Sequence, residues 1–553
     1  MSLDSETGTG GTAEPGTGAL TEPDTGDLGD PETEASGEAA SPPAHGRRRE
    51  ILLAAGCVVA ILLLYLAYLG QSRTLGTDSD GASNVLQAWD MLHGNLLLRG
   101  WSLSDVSFYT TELPEYMIVE LIRGLHPSVI NAAGAATYTL LLVMVALLAK
   151  GRSTGAAGLT RMLVAGGIML APGPTFSAAS LLSSPDHIGT QVPLVLIWLL
   201  IDRLPDRWYL PCLVGLLLTW VEIADTMAVY VGALPVIIIA AIRLIQRRPS
   251  WRIDAGLLAG AAISVVLSSE ALKFISRIGG FHVAPTHAVF IQSLQLPHNV
   301  SLTIESVLTL FGADFFGQKL GVSAAVALLH LAGVALAACA IWVAGRRLLS
   351  CPDRVTPILF LGLIIDLAAY MFSTQAVDLG ATHELAAVLP FGAALAGRVL
   401  PGTPRLRTLR PVLLAVLACY AGTLVYHATR PAQPPTTSAV ASWLTSHHLT
   451  AGIGDYWTAN VTTVATGGRT EVRPVVSYCG RFVPDTWESR NSWYQRPNTA
   501  TFLVLGLTSR AGQSGTAAQA EAQFGVPQQT ARVGLYEILV WRHDLLPLAG
   551  GCR

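Results

Sequence analysis

Two carboxylates one residue apart, Asp78 and Asp80, stand in the polar segment GTDSDGASN at 76–84. They follow directly on the apolar run from Ile51 to Gly70, at a point where a side chain meets both water and a lipid headgroup. At that spacing one carboxylate can act as a general base while the pair holds a divalent cation such as Mg or Mn. A solvated turn uses the same residues, so the pair alone admits both readings. Asp186 and His187 form a second such point ahead of an apolar run, where Asp186 is also a natural helix N-cap. Tyr456 and Trp457, following Asp455, offer rings that either stack on a ligand or pack in a core. Lys273, Arg277, His282 and His287 supply positive or protonatable groups, while His282, His287, His298 and Glu305 lack a recognisable zinc spacing. Asp366 lies inside ILFLGLIIDLAAY. An unpaired carboxylate at a helix centre costs about 2.5–3.5 kcal/mol on insertion scales, so Asp366 is expected to face a helix bundle.

The elements that must position these groups are membrane spans. With 51% hydrophobic residues, 13% charged residues and a mean hydropathy of +0.47, the chain is too apolar for a soluble domain. Eleven apolar segments are expected to cross: 51–70, 129–149, 162–182, 188–201, 209–222, 226–245, 254–275, 321–344, 355–372, 384–400 and 411–428. Alternate loops are basic, around Arg47 to Arg49, Lys150 to Arg161, Arg203 to Arg207, Arg243 to Arg252, Arg346 to Arg354 and Arg398 to Arg410. The positive-inside rule assigns those loops to the cytoplasm and the acidic points to the outer face. The formal net charge of −3 conceals a split. Ten of the 38 acidic residues lie in 1–46, which has no Lys or Arg, leaving 28 against 35 basic residues. That excess sets topology and gives no reason to invoke nucleic acid.

Residues 1–46 read as a disordered acidic cytoplasmic tail, 47–430 as the transmembrane domain with a first external loop at 71–128, and 431–553 as an external α/β domain. The first loop has two helical repeats. Ala82, Val85, Leu86, Trp89 and Leu92 oppose Ser83, Asn84, Gln87, Asp90 and His93, and Leu113, Met117, Leu121, Ile122 and Leu125 oppose Glu115, Glu120 and Arg123. Two amphipathic helices on the bilayer surface are the expected outcome. In the last region 501–507 and 535–541 read as strands and 517–524 as a helix, and Cys479 and Cys552 are candidates for a disulfide. The fold class is therefore mainly α, a polytopic helix bundle with a small external α/β domain.

DSDGASNVLQAWDMLHGNL at 78–96 resembles the first external loop of the GT-C membrane glycosyltransferases, among them the protein mannosyltransferase and aminoarabinose transferase relatives. The resemblance implies that Asp80 is the catalytic acid residue. It departs where Asp80 is followed by Gly81, because the family often has Asp-Glu there, so a second carboxylate must come from Asp78 or elsewhere. SSPDHIGTQVPLVL at 183–196 is similar to the second external loop and nominates Asp186 with His187. THELAAVLPFGAALAGR at 382–398 is similar to a late segment and places His383 and Glu384 where the family has Arg and Tyr. GDYWTANVTTVATGGRTEVRPV at 454–475 is similar to external tails of bacterial members.

These likenesses imply inverting transfer of a sugar from a polyprenyl-phosphate donor to an extracytoplasmic glycan, lipid or protein at the cell membrane. Lys273, Arg277, His383 and their neighbours would then meet the substrate. No soluble cofactor is implied, and no GxxxxGK[ST] loop is present. Two other readings stand beside this one. They are an ion-coupled transporter with Glu222, Asp225, Glu270 and Asp366 along its path, and a GT-C-like scaffold without chemistry.

Overall fold

The computed structural model describes residues 44–183, 187–285, 288–400, 410–507 and 515–549. Most of the acidic tail, Asp186, His287 and Cys552 lie outside them. The helical part comprises α1 (Ala44–Ser72), α2 (Ser79–Leu92), α3 (Glu112–Arg123), α4 (Ser128–Lys150), α5 (Gly155–Met169), α6 (Phe176–Leu182), α7 (Ile188–Arg203), α8 (Tyr209–Ala224), α9 (Leu234–Ile245), α10 (Trp251–Arg277), α11 (Leu296–Leu310), α12 (Val322–Arg346), α13 (Val355–Phe372), α14 (Val388–Val399) and α15 (Arg410–Ala428).

Six helices among the described residues are long and apolar enough to cross a bilayer, or seven if Leu379–Leu385 and α14, bent by 50°, count as one. About eleven apolar segments are legible in the sequence, several of them too short for a full crossing, and the difference has local causes. The segment 162–182 is broken into α5 and α6 at Pro172-Gly173-Pro174, where ring sterics and missing amides end a helix. A π turn at Val229–Ala233 precedes α9, and Pro193 interrupts the hydrogen-bond ladder of α7.

The basic loops meet at one end of the bundle. Arg398 bridges Asp202 at 2.8 Å and Asp353 at 3.3 Å, while Asp254 accepts from Arg243 at 3.1 Å and Arg354 at 2.6 Å. The side chains of the Arg398–Asp202 pair are each 8% exposed, and removing Arg398 leaves Asp202 beside Arg203, whose Nε lies 3.4 Å away. Arg398→Ala is expected to destabilise the detergent-solubilised protein by about 1–3 kcal/mol, read as a lowered Tm. An unchanged Tm would show that water reaches Asp202.

The C-terminal region is a six-stranded sheet of β3 (Ala451–Gly454), β4 (Glu471–Tyr478), β5 (Arg481–Pro484), β7 (Phe502–Gly506), β8 (Gln529–Val533) and β9 (Tyr536–Val540), ordered β5-β4-β3-β7-β9-β8. It carries α16 (Ser438–Ser446), α17 (Tyr456–Ala465) and α18 (Ala517–Phe524). Both faces are covered, because Leu503 and Leu505 join one apolar cluster with Phe524 while Phe502 and Val504 join another with Val440 and Leu444. The strands expected at 501–507 and 535–541 are β7 and β9, and the expected helix is α18. Cys479 is exposed.

A second, three-stranded sheet stitches three distant segments together. β1 (Trp101–Leu103) pairs in parallel with β2 (His282–Val283) and antiparallel with β6 (Ser489–Arg490). An ion pair between Arg490 and Asp90 at 2.9 Å reinforces the junction.

Of the two first-loop helices, α2 departs from the surface pattern. In α2 the polar face is as buried as the apolar one, with Ser83, Asn84 and Gln87 at 0–1% exposure, because α17 lies across it. Ser79 Oγ donates to Tyr456 O at 2.7 Å and Asn460 Nδ2 to Ser83 Oγ at 2.7 Å, so the two helices run side by side in the same direction. In α3 the acids Glu112 and Glu120 point inward, and Ile118, Leu121 and Ile122 are exposed. That inversion suits an apolar solvent outside and a polar site within.

Candidate active site

Because α2 and α17 run in parallel, their N-termini converge, and the converging ends carry Asp78, Asp80 and Tyr456. Asp78 is the N-cap of α2 and accepts from the Gly81 amide at 2.7 Å. A side chain at Gly81 would place its Cβ 2.9 Å from Asp78 Oδ1 and 3.1 Å from Ile130, which accounts for the glycine after Asp80. Asp80 sits in the first turn, at the positive end of the helix.

The Tyr456 hydroxyl contacts Asp80 Oδ1 and lies 2.5 Å from Glu488 Oε2. One hydroxyl has one proton, so two ionised carboxylates cannot both be satisfied by it. Burial, and then the Asp80 charge, push the Glu488 carboxyl up to about 8, against hydrogen bonds from Tyr456, Ser83 and Ser104 that favour its ionised form. Burial first, then the two carboxyls, also push the Tyr456 phenol well above its ordinary range. The consistent arrangement has protonated Glu488 donating to Tyr456 Oη, and Tyr456 donating to the Asp80 carboxylate.

Glu488 is 2% exposed and has a φ of 44°, a left-handed conformation that costs a non-glycine residue on the order of 1–2 kcal/mol. Strain of that kind gathers at functional sites. The β1–β6 pairing delivers the residue, since Ser489 stands opposite Ser102.

A second group lies where other helix ends meet. His187, at the start of α7 with a φ of 52°, places Nδ1 2.8 Å from Asp225 Oδ2, which also accepts from Thr190 Oγ1 at 2.6 Å. Its Nε2 is 3.5 Å from Glu384 Oε2, and the His383 ring is stacked on it with centroids 5.9 Å apart. A cavity of about 400 Å³ opens on His187, Glu384, Asp105 and Tyr230.

The expected site residues thus divide. Asp80 and Tyr456 come together, as do His187, His383 and Glu384, while Asp186 lies outside the described residues. Lys273 and Arg277 do not join either group: both are exposed on α10, and Lys273 pairs with Glu270 at 2.8 Å. Tyr456 is buried and its hydroxyl is committed to two carboxyls, so it does not present a stacking face, whereas Trp457 is 39% exposed. Asp366 is buried in α13, within electrostatic reach of His187, Glu384 and Asp225.

Asp78 Oδ1 closes the helix cap and Asp80 Oδ1 meets the Tyr456 hydroxyl, so each carboxylate is engaged through one oxygen. Glu488 escapes sequence reasoning because nothing in DTWESR marks a buried acid.

No protein-family model and no curated protein sequence matches the chain. Solved structures do. ArnT from Cupriavidus metallidurans in the apo state superposes with a TM-score of 0.52 at 11% identity, over 90% of this chain and 100% of that one. The same protein bound to undecaprenyl phosphate gives 0.51 at 13% identity, over the same shares. At such identity the likeness is one of architecture, and the chain shares the fold of ArnT.

Proposed function

We propose that the protein transfers a sugar from a polyprenyl-phosphate donor to an acceptor hydroxyl outside the cytoplasmic membrane, with Asp80 as general base. The observation that carries this reading is the Asp80 carboxyl at a helix N-terminus, held by Tyr456, whose hydroxyl also meets the buried Glu488 carboxyl. It is supported by the shared architecture with ArnT, one structure of which is bound to undecaprenyl phosphate.

In the proposed step the acceptor oxygen attacks the anomeric carbon as its proton passes to Asp80. The bond to the lipid phosphate breaks, and the phosphate leaves with the electron pair, inverting the centre. Positioned proton transfer of this kind contributes about 10²- to 10⁴-fold, and orientation of the two substrates supplies much of the rest. Tyr456 positions the base and does not touch the sugar, and Trp457 is the ring assigned to stacking. Asp186 and His187 belong to the same external face in this reading. No step is routed through a metal at Asp78 and Asp80. The basic end is cytoplasmic, and residues 431–553 form the external domain.

The test compares cell-surface glycans of a deletion strain, its parent, and the strain complemented with wild type or Asp80→Asn. Loss of one sugar on deletion, restored by wild type alone, supports the reading, and identical glycans in all four overturn it. Asp366→Asn separates it from ion-coupled transport. Transfer should persist within about 10-fold, since a group away from the reacting atoms gives none of the general-base contribution. Complete loss would favour the carrier.

A further inference from the structure

We propose that His187, His383 and Glu384 bind a divalent zinc-class cation, a site separate from Asp80 and independent of the sugar-transfer reading. Hydrogen-bond partners fix which edge of each ring faces inward. His383 Nδ1 is 2.8 Å from the Gly380 carbonyl, which can only accept, so Nδ1 is an N–H and the neutral ring offers its lone pair at Nε2. His187 Nδ1 faces Asp225 Oδ2, so there too Nδ1 donates and the neutral ring offers Nε2.

Both Nε2 edges then turn toward Glu384, and one ligand atom from each of the three residues falls within 4.8 Å of the others. His187 Nε2 and Glu384 Oε2 are 3.5 Å apart, too far for a strong hydrogen bond. Ligands of a tetrahedral zinc stand about 3.3 Å apart, within side-chain adjustment of this spacing.

Two further features are those of a metal centre. Each histidine is oriented through Nδ1 by a carboxylate or a carbonyl, the outer-shell arrangement that fixes tautomer and raises ligand basicity. Two imidazoles with one carboxylate select zinc over magnesium, and three protein ligands leave a fourth position open. That position faces the cavity, because His187 and Glu384 line it. Among its described lining residues are Asp105 and Glu384 but no lysine or arginine, so a cation there would sit beside carboxylates.

The test uses the full-length protein in detergent, stripped with chelator and titrated with Zn²⁺ or with Co²⁺, whose visible bands report coordination by nitrogen. One equivalent is expected. Asp225→Asn should weaken affinity by about 10- to 100-fold without removing a ligand, and His383→Ala should weaken it at least as much. His383 is only half-buried on its turn, so that variant keeps the test usable if a His187 variant does not fold. Failure of the wild type to bind metal overturns the proposal, as does equal binding by wild type and His383→Ala. Neither result depends on any glycosyl donor, so the Asp80 reading stands or falls separately.

Discussion

Asp80→Asn is expected to reduce sugar transfer by about 10²- to 10⁴-fold while the protein inserts and folds as before. Asparagine has the same shape, and its amide oxygen accepts the Tyr456 proton as the carboxylate does. The α2 cap is made by Asp78 and is untouched. What disappears is the negative charge and the ability to take a proton from the acceptor. The loss should therefore fall on turnover more than on donor binding, the pattern of an interaction made in the transition state. Incorporation of labelled sugar by membranes, compared at equal protein, reads the effect. An unchanged rate would remove Asp80 from the chemistry and leave the scaffold reading in its place.

How much of this was legible beforehand follows the range of each interaction. Apolar runs and their basic loops are local, so the helices were readable, but their lengths were not. Pro172, Pro174, Pro193 and the π turn at Val229–Ala233 shorten or bend segments that hydropathy alone counts as full spans. Asp80 was readable because it sits in a contiguous pattern. Of the first-loop helices α2 misled, because periodicity tells which residues share a face and not what covers it. α17 covers the polar face of α2, whereas α3 leaves Leu121 and Ile122 of its apolar face exposed, as the periodicity implies for a surface helix. Glu488 and the gathering of His187 with His383 were not readable, since each depends on strand pairing or helix ends far apart in sequence. Gly81 after Asp80 leaves a second carboxylate to come from Asp78 or elsewhere, and Glu488 lies across the Tyr456 hydroxyl from Asp80.

Glu488→Gln should flatten a pH dependence that the wild type shows. The Glu488 carboxyl is held up at about 8, chiefly by burial and then by the Asp80 charge, against 4.5 for the ordinary group. A raised carboxyl binds its proton more tightly in the folded chain than in the unfolded one. Its contribution to stability is therefore fully present below about pH 4.5 and is lost as pH rises through about 8. Wild-type Tm should fall across that window by an amount that the Gln variant does not show. Glutamine cannot ionise, yet its amide still donates to Tyr456 Oη as the protonated acid does. Above pH 8 the two wild-type carboxylates compete for one tyrosine proton, so transfer should decline there in wild type and persist in Glu488→Gln. Replacement by alanine gives the control, since it leaves Tyr456 without its partner and should lower activity at every pH. Parallel Tm and rate profiles for wild type and Glu488→Gln would mean that Glu488 ionises without consequence, and Tyr456 alone would then hold the base.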